Sequence, residues 1–152
     1  MTSRRSLFRL ALVTGTLGAL LGLVGCGSPS GTPTSPTFAK AVAKCTASGA
    51  QTQATVEANS SFRFSPEVVC LRVGGTVTWT NTTTSLDHTS TDEPSQAASA
   101  DDATIPPGGH GWSLRLPSGH SASLTFKTAG VYHYFCIPHE TLGMVGVVVV
   151  IR

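Results

Sequence analysis

The sequence is poor in charge. Asp, Glu, Lys and Arg make up 12% of its 152 residues, about half of the roughly 25% usual in soluble domains. Ten basic residues against eight acidic ones leave a formal net charge of +2, without the basic cluster that a phosphate-tracking surface needs, so nucleic acid is excluded as a partner. No internal repeat is visible, which argues against a solenoid or propeller. Scarce charge fits either a membrane protein or a surface made polar by uncharged groups. Ser and Thr together number 38, so the second reading suffices. Gly 16 and Pro 9, with abundant Thr and Val, favour short strands and turns over helices.

The one long apolar run lies at the beginning. Arg4, Arg5 and Arg9 precede an uncharged stretch from Leu10 to Gly25, which is shorter than the ~20 residues of a spanning helix. A basic region followed by a short apolar region is the pattern of an export signal. Leu23-Val24-Gly25-Cys26 resembles the lipobox of bacterial lipoproteins. That resemblance implies cleavage before Cys26, lipid on its sulfur and an anchor at the extracytoplasmic face of a prokaryotic membrane. Ser3-Arg4-Arg5-Ser6-Leu7-Phe8-Arg9 also resembles a twin-arginine signal, and general secretion stays open beside it. Residues 26–37 follow as a Gly/Ser/Thr/Pro tether with no apolar surface to offset ordering. The folded domain is expected over 38–152, a length that suits a single core. The three arginines belong to residues 1–25, so the mature chain keeps seven basic residues of the ten against eight acidic ones.

Strand signals fill that domain. They fall on Gln51–Ala58, Val68–Val73, Thr76–Thr80, Ala122–Lys127, Val131–Phe135 and Val145–Ile151, with turns at Gly74-Gly75 and Thr128-Ala129-Gly130. The last is nearly all Val and reads as a strand buried on both faces. The fold class is all-β, an antiparallel sandwich or barrel. Residues 82–111 break the rhythm, and Pro94–Asp101 allows a short helix.

Cys45 and Cys70 lie in an exported domain, where a pair is oxidised, so a bridge is expected. Two buried free thiols are the alternative. Cys136 is then unpaired, and its neighbours explain it. Cys136-Ile137-Pro138-His139-Glu140-Thr141-Leu142-Gly143-Met144 sets a thiolate, an imidazole and a thioether on one loop between two strands. With His88 from a remote strand end, two His, one Cys and a weak axial Met make a type 1 copper set. Structural zinc takes four strong N or S donors, and a thioether is not one.

On these residues the domain resembles the cupredoxins of the plastocyanin kind. The resemblance covers FRFSPEVVCLRVGGTVTWTN, His88 and AGVYHYFCIPHETLGMVGVVVV. It implies a Greek-key β-sandwich or barrel with copper ligands His88, Cys136, His139 and Met144. It further implies an electron port at His139 with Pro138, Leu142 and Gly143, protein redox donors and acceptors, a monomer and no catalysis. A copper-delivery protein is the alternative function. Two departures stand out: Thr89 replaces the Asn that often follows the first His and ties the ligand loops, and residues 89–111 read as an insertion beside the site.

The remaining candidates have plainer readings. His110, His120 and His133 are not expected to be ligands, and Trp79 is expected in the core. Cys136 and His139 as nucleophile and base would lack an orienting partner. Asp87, Asp92, Glu93, Asp101 and Asp102 read as a solvated loop, with partner guidance as the alternative. Asn59 and Asn81 begin glycosylation-type triplets that are taken as chance.

Overall fold

The computed structural model describes residues 43, 45–46 and 49–152. The expected export signal, Cys26 and the tether lie outside them. Eight strands are formed: β1 Gln51–Ala58, β2 Phe64–Ser65, β3 Val68–Asn81, β4 His88–Asp92, β5 Trp112–Leu116, β6 Ser121–Thr125, β7 Gly130–Phe135 and β8 Val145–Ile151. Two 3₁₀ segments, Pro94–Gln96 and Ile137–Leu142, complete the order. Among the described residues no helix is long and apolar enough to cross a membrane.

The strands join in the order β2-β1-β3-β8-β7-β4-β5, with β6 on the other partner-bearing half of β3. The all-β expectation holds, but the pairing is mixed rather than antiparallel throughout. β3 runs parallel to both β1 and β8, pairings between distant segments that local periodicity does not encode. Gly74-Gly75 is not a break between two strands. It marks a change of partner within β3: Val68–Arg72 pairs with β8, and Thr76–Thr80 pairs with β1 and β6. Gly74 sits at φ 86°, where a side chain is disfavoured.

Side-chain alternation builds one main core. Val56, Leu71, Val77, Trp79, Leu116, Tyr134 and Val148 are buried in it, and Trp79 meets Tyr134 edge to face with ring centroids 5.4 Å apart. Val147 and Val149 point the other way, into a second cluster with Cys45, Val68 and Val131. β8 is therefore buried on both faces, and a disulfide, Cα–Cα 5.5 Å, ties Cys45, which packs against the second face, to Cys70 on β3. On the exposed side of β3 and β6, hydroxyls pair across the ladder as Thr76–Thr125, Thr78–Ser123 and Thr80–Ser121 at 2.8 to 2.9 Å. These pairs show how a surface with little charge stays polar.

The sequence reading missed β4 and β5, and the helix allowed over Pro94–Asp101 shrinks to Pro94–Gln96. β4 buries His88, Ser90, Thr91 and Asp92, all polar, so the strand has no apolar period to detect. Ser90 Oγ accepts the indole N–H of Trp112 at 3.0 Å. Asn81 is also buried, and this removes it as a sugar acceptor. Its Nδ2 donates to the carbonyls of Leu86 and Leu116, and its Oδ1 accepts the N–H and hydroxyl of Thr83. One fully satisfied amide thereby organises the loop that leads to His88.

Asp92 corrects the solvated-loop reading. It is wholly buried, and neither carboxylate oxygen has a hydrogen-bond partner. Burial first, and the nearby Glu93 second, push its carboxyl up to about 7. A raised carboxylate leaves stability intact below the unfolded value near 3.8 and loses it as pH rises through the folded value. Asp92→Asn is therefore expected to raise stability at pH 8 by roughly 2–4 kcal/mol and to flatten the fall between pH 4 and 8. Urea melts of both proteins across that range check it, and equal slopes would refute it.

Candidate metal centre

Three strands deliver the site. β7 ends at Phe135, so Cys136 leaves the sheet fully buried. The 3₁₀ segment Ile137–Leu142 then turns the chain, with Pro138 in its first turn, where a missing N–H costs nothing. Gly143 closes the turn at φ 82°, ψ 27°, donating its N–H to the Glu140 carbonyl at 2.7 Å. Met144 follows, fully buried, and leads into β8. The backbone closes this loop on itself: Cys136 N–H donates to Met144 O at 3.0 Å, and Met144 N–H donates to His139 O at 3.2 Å. Two residues on, a side chain at Gly146 would run into the Tyr134 ring. Tyr134 and β8 therefore pack at a distance that only glycine permits.

His88 arrives from the first residue of β4. Its Nδ1 lies 3.1 Å from Nδ1 of His139 and 3.6 Å from Sγ of Cys136, and His139 Nδ1 lies 3.4 Å from the same sulfur. The centre of a triangle with these edges is ~2 Å from each corner, close to the roughly 2.0–2.3 Å of metal–imidazole and metal–thiolate bonds. Burial lowers the imidazole of His88, and the facing His139 ring lowers it further. Burial lowers that of His139 as well. Both shifts favour the neutral ring, the form that ligates. Burial raises the Cys136 thiol, and the N–H of Thr89 works against that rise. A bound cation would overcome the remainder, because a coordinating thiol loses its proton outright. The three donors fit a soft-to-borderline ion, and Met144 stands at the end of the same loop.

Thr89 takes over the tie expected of Asn. Its N–H points at Cys136 Sγ at 3.3 Å, and its hydroxyl oxygen accepts the N–H of Ile137 at 2.9 Å. Thr91 Oγ1 donates to the same hydroxyl oxygen at 3.1 Å. Both ligand-bearing segments are therefore joined through one residue.

The expected port residues share the exposed loop of His139. Pro138, Leu142 and Gly143 are exposed, and His139 is half-buried between them. Two further residues belong here that the sequence reading did not name. Ile137 is 43% and Leu142 53% exposed, both high for large apolar side chains. Phe62 lays its ring on His139, centroids 4.5 Å apart and planes tilted by 35°, from a left-handed backbone at φ 56° that is unusual for a bulky residue. Arg63 holds this turn to the loop, its Nη1 donating to Phe62 O and Leu142 O at 2.8 Å each. Phe62 lies in a polar turn, where no periodicity points it at a ligand. His110 and His120 stay exposed. His133 is buried on β7, where its Nδ1 meets the Asp101 carbonyl, and it is not part of the triad.

A mixed eight-stranded β-sheet whose loops bring a His-Cys-His triangle together is the arrangement of a copper-binding cupredoxin. Residues 50–151 match the family of copper binding proteins described as plastocyanin/azurin, and the chain belongs to that family. It is similar to chloroplastic plastocyanin of Tetradesmus obliquus, 38% identical over 87 residues that are 57% of this chain and 57% of that one. It is also similar to plastocyanin of Scenedesmus fuscus, 37% identical over 57% of this chain and 85% of that one. The chain thus spans little more than half of the Tetradesmus protein and most of the Scenedesmus one. Dithionite-reduced auracyanin of the photosynthetic bacterium Roseiflexus castenholzii shares the fold, with a TM-score of 0.51 and 22% identity over 68% of this chain and 100% of that one.

Thr89→Val removes the oxygen that accepts from Ile137 N–H and Thr91 Oγ1; Thr91 keeps Ser113 as a partner and water can reach Ile137, so the net loss is close to one neutral hydrogen bond. The expected cost to the metal-free domain is about 1 kcal/mol, measured by denaturant unfolding. An unchanged midpoint would mean that the tie contributes nothing.

Proposed function

We infer that the protein is a single-electron carrier that cycles one type 1 copper between Cu(I) and Cu(II) for extracytoplasmic redox partners. The approach of His88 Nδ1, Cys136 Sγ and His139 Nδ1 to within 3.1–3.6 Å of one another carries this reading. Cys136 would supply the thiolate, His88 and His139 the imidazoles and Met144 a weak thioether donor, a set suited to copper. Copper supplies the redox change, and the chain supplies rigidity. Ligands held by two strands and a closed loop move little between oxidation states, which favours fast outer-sphere transfer.

His139 is the port. Its half-exposed ring is framed by Ile137, Pro138, Leu142, Gly143 and Phe62, and an apolar patch of this size suits a weak, short-lived contact. Burial of Cys136 and Met144 favours retention of copper over its surrender, so electron transfer is preferred to copper delivery. Membership of the plastocyanin/azurin family supports a carrier rather than an enzyme. We place it as a monomer at the extracytoplasmic face of a prokaryotic membrane, anchored by lipid on Cys26 and standing off on residues 26–37.

The oxidised protein is expected to show an intense thiolate-to-copper band that vanishes in Cys136→Ser. A colourless copper-loaded wild type sinks the reading. Met144→Leu should keep copper and raise the reduction potential, because the thioether that stabilises Cu(II) is gone. A variant that cannot hold copper would assign Met144 a structural role instead. For the anchor, mass spectrometry of the mature protein should find a lipid-sized increment on a peptide beginning at Cys26; an unmodified chain starting elsewhere rules it out.

A further inference from the structure

Residues 93–104, within the stretch 89–111 expected to be an insertion, are fastened to the copper loop by a carboxylate, whereas residues 89–92 of that stretch belong to β4. Glu140, next to His139 in sequence, is buried. Its Oε2 accepts the N–H of Ala98 and its Oε1 the N–H of Ser99, both at 2.9 Å. Few places offer a carboxylate two consecutive backbone donors, and such charge-assisted pairs are the strong ones. The far end of the same segment is fixed to β7, the strand that delivers Cys136. Thr104 exchanges both backbone hydrogen bonds with His133 at 3.2 and 3.3 Å, and His133 Nδ1 lies 2.7 Å from Asp101 O. The segment is thus a strap, attached at one end to β7 and at the other to the ligand loop.

We propose that Glu140 is a positioning residue of the copper site, whose bidentate hold on Ala98 and Ser99 makes the strap an outer brace for the loop carrying Cys136, His139 and Met144. The proposal rests on the ligand assignment above. Glu140 faces away from the donors and toward the strap, so it acts through the loop and not on copper. Its backbone carbonyl accepts the Gly143 N–H at 2.7 Å, so movement of its side chain is passed to the turn that sets Met144. A brace of this kind restrains the loop equally in both oxidation states, and its loss should let the ligands rearrange with each electron.

The test uses the full chain loaded with copper and three variants. Glu140→Ala removes both acceptors. Glu140→Gln keeps the reach and one acceptor but not the charge. Glu140→Asp keeps the charge but falls one methylene short. Hydrogen exchange of the Ala98 and Ser99 amides reports the hold, while the electron self-exchange rate and the Cu(II) hyperfine splitting report the site. For Glu140→Ala, exchange should accelerate, the splitting should shift, and self-exchange should slow about tenfold, the scale of losing an outer-shell partner. Glu140→Asp should follow Ala, and Gln should recover part of the rate. Freed amides with wild-type splitting and rate would reduce Glu140 to a loop staple and overturn the proposal. So would Asp behaving as wild type while Gln behaves as Ala, since charge alone would then explain the effect. Should Glu140→Ala fail to fold, Ala98→Pro removes one donor without touching the ligand loop. It should slow self-exchange in the same direction, and a wild-type rate there also overturns the proposal. A wild type without the blue band defeats the copper reading instead, whatever the variants do.

Discussion

Two imidazole nitrogens facing each other at 3.1 Å are the constraint on which the rest of the structure depends. Both are bases, neither ring is positioned to bond the other without a shared cation or proton, and a buried sulfur stands beside them. Such a cluster has only tautomer-dependent hydrogen bonds of its own. It is kept together because its members come from elements that cannot shift independently: β4 pairs with β5 and β7, β7 pairs with β8, and Thr89 bonds both the sulfur and the loop. The cost of assembling the donors is carried by the sheet before any ion arrives, which is what preorganisation means at a metal site.

Much of that arrangement is visible in the amino-acid order, and the limits are instructive. Cys136, His139 and Met144 are legible because a ligand loop is a local object whose donors are named by residue type and spacing. His88 is legible only as an isolated His near a strand end. β8 could be read as doubly buried from its Val run, and the second cluster around Val147 and Val149 is the reason for that run. The Cys45–Cys70 bridge followed from compartment chemistry. β4 was not legible, because the residues it buries, His88, Ser90, Thr91 and Asp92, are all polar and leave no apolar alternation. The parallel pairing of β3 with β1 and β8 was hidden for a different reason: it joins segments distant in the chain, and no local period encodes a partner.

The two departures from the family pattern have opposite meanings. Thr89 looks like a loss but conserves the function of the missing amide, since its backbone N–H reaches the thiolate and its hydroxyl reaches Ile137. The strap over residues 93–104 is tied down at both ends and packs against His133 on the outer face of β7. Asp92, at the junction of β4 and the strap, remains the one wholly buried carboxyl without a hydrogen-bond partner among the described residues. Such a group is a stability cost that a purely structural strand would avoid.

The Cys45–Cys70 disulfide also decides how the domain bears mechanical load. Any tension arriving along the chain ahead of Cys45 passes through the sulfur bridge into β3 at Cys70, inside the ladder Val68–Arg72 that pairs with β8. The residues between the two cysteines, β1 among them, are bypassed and stay slack. No edge strand is the first to be peeled, and the force meets the sheet at its most buried strands.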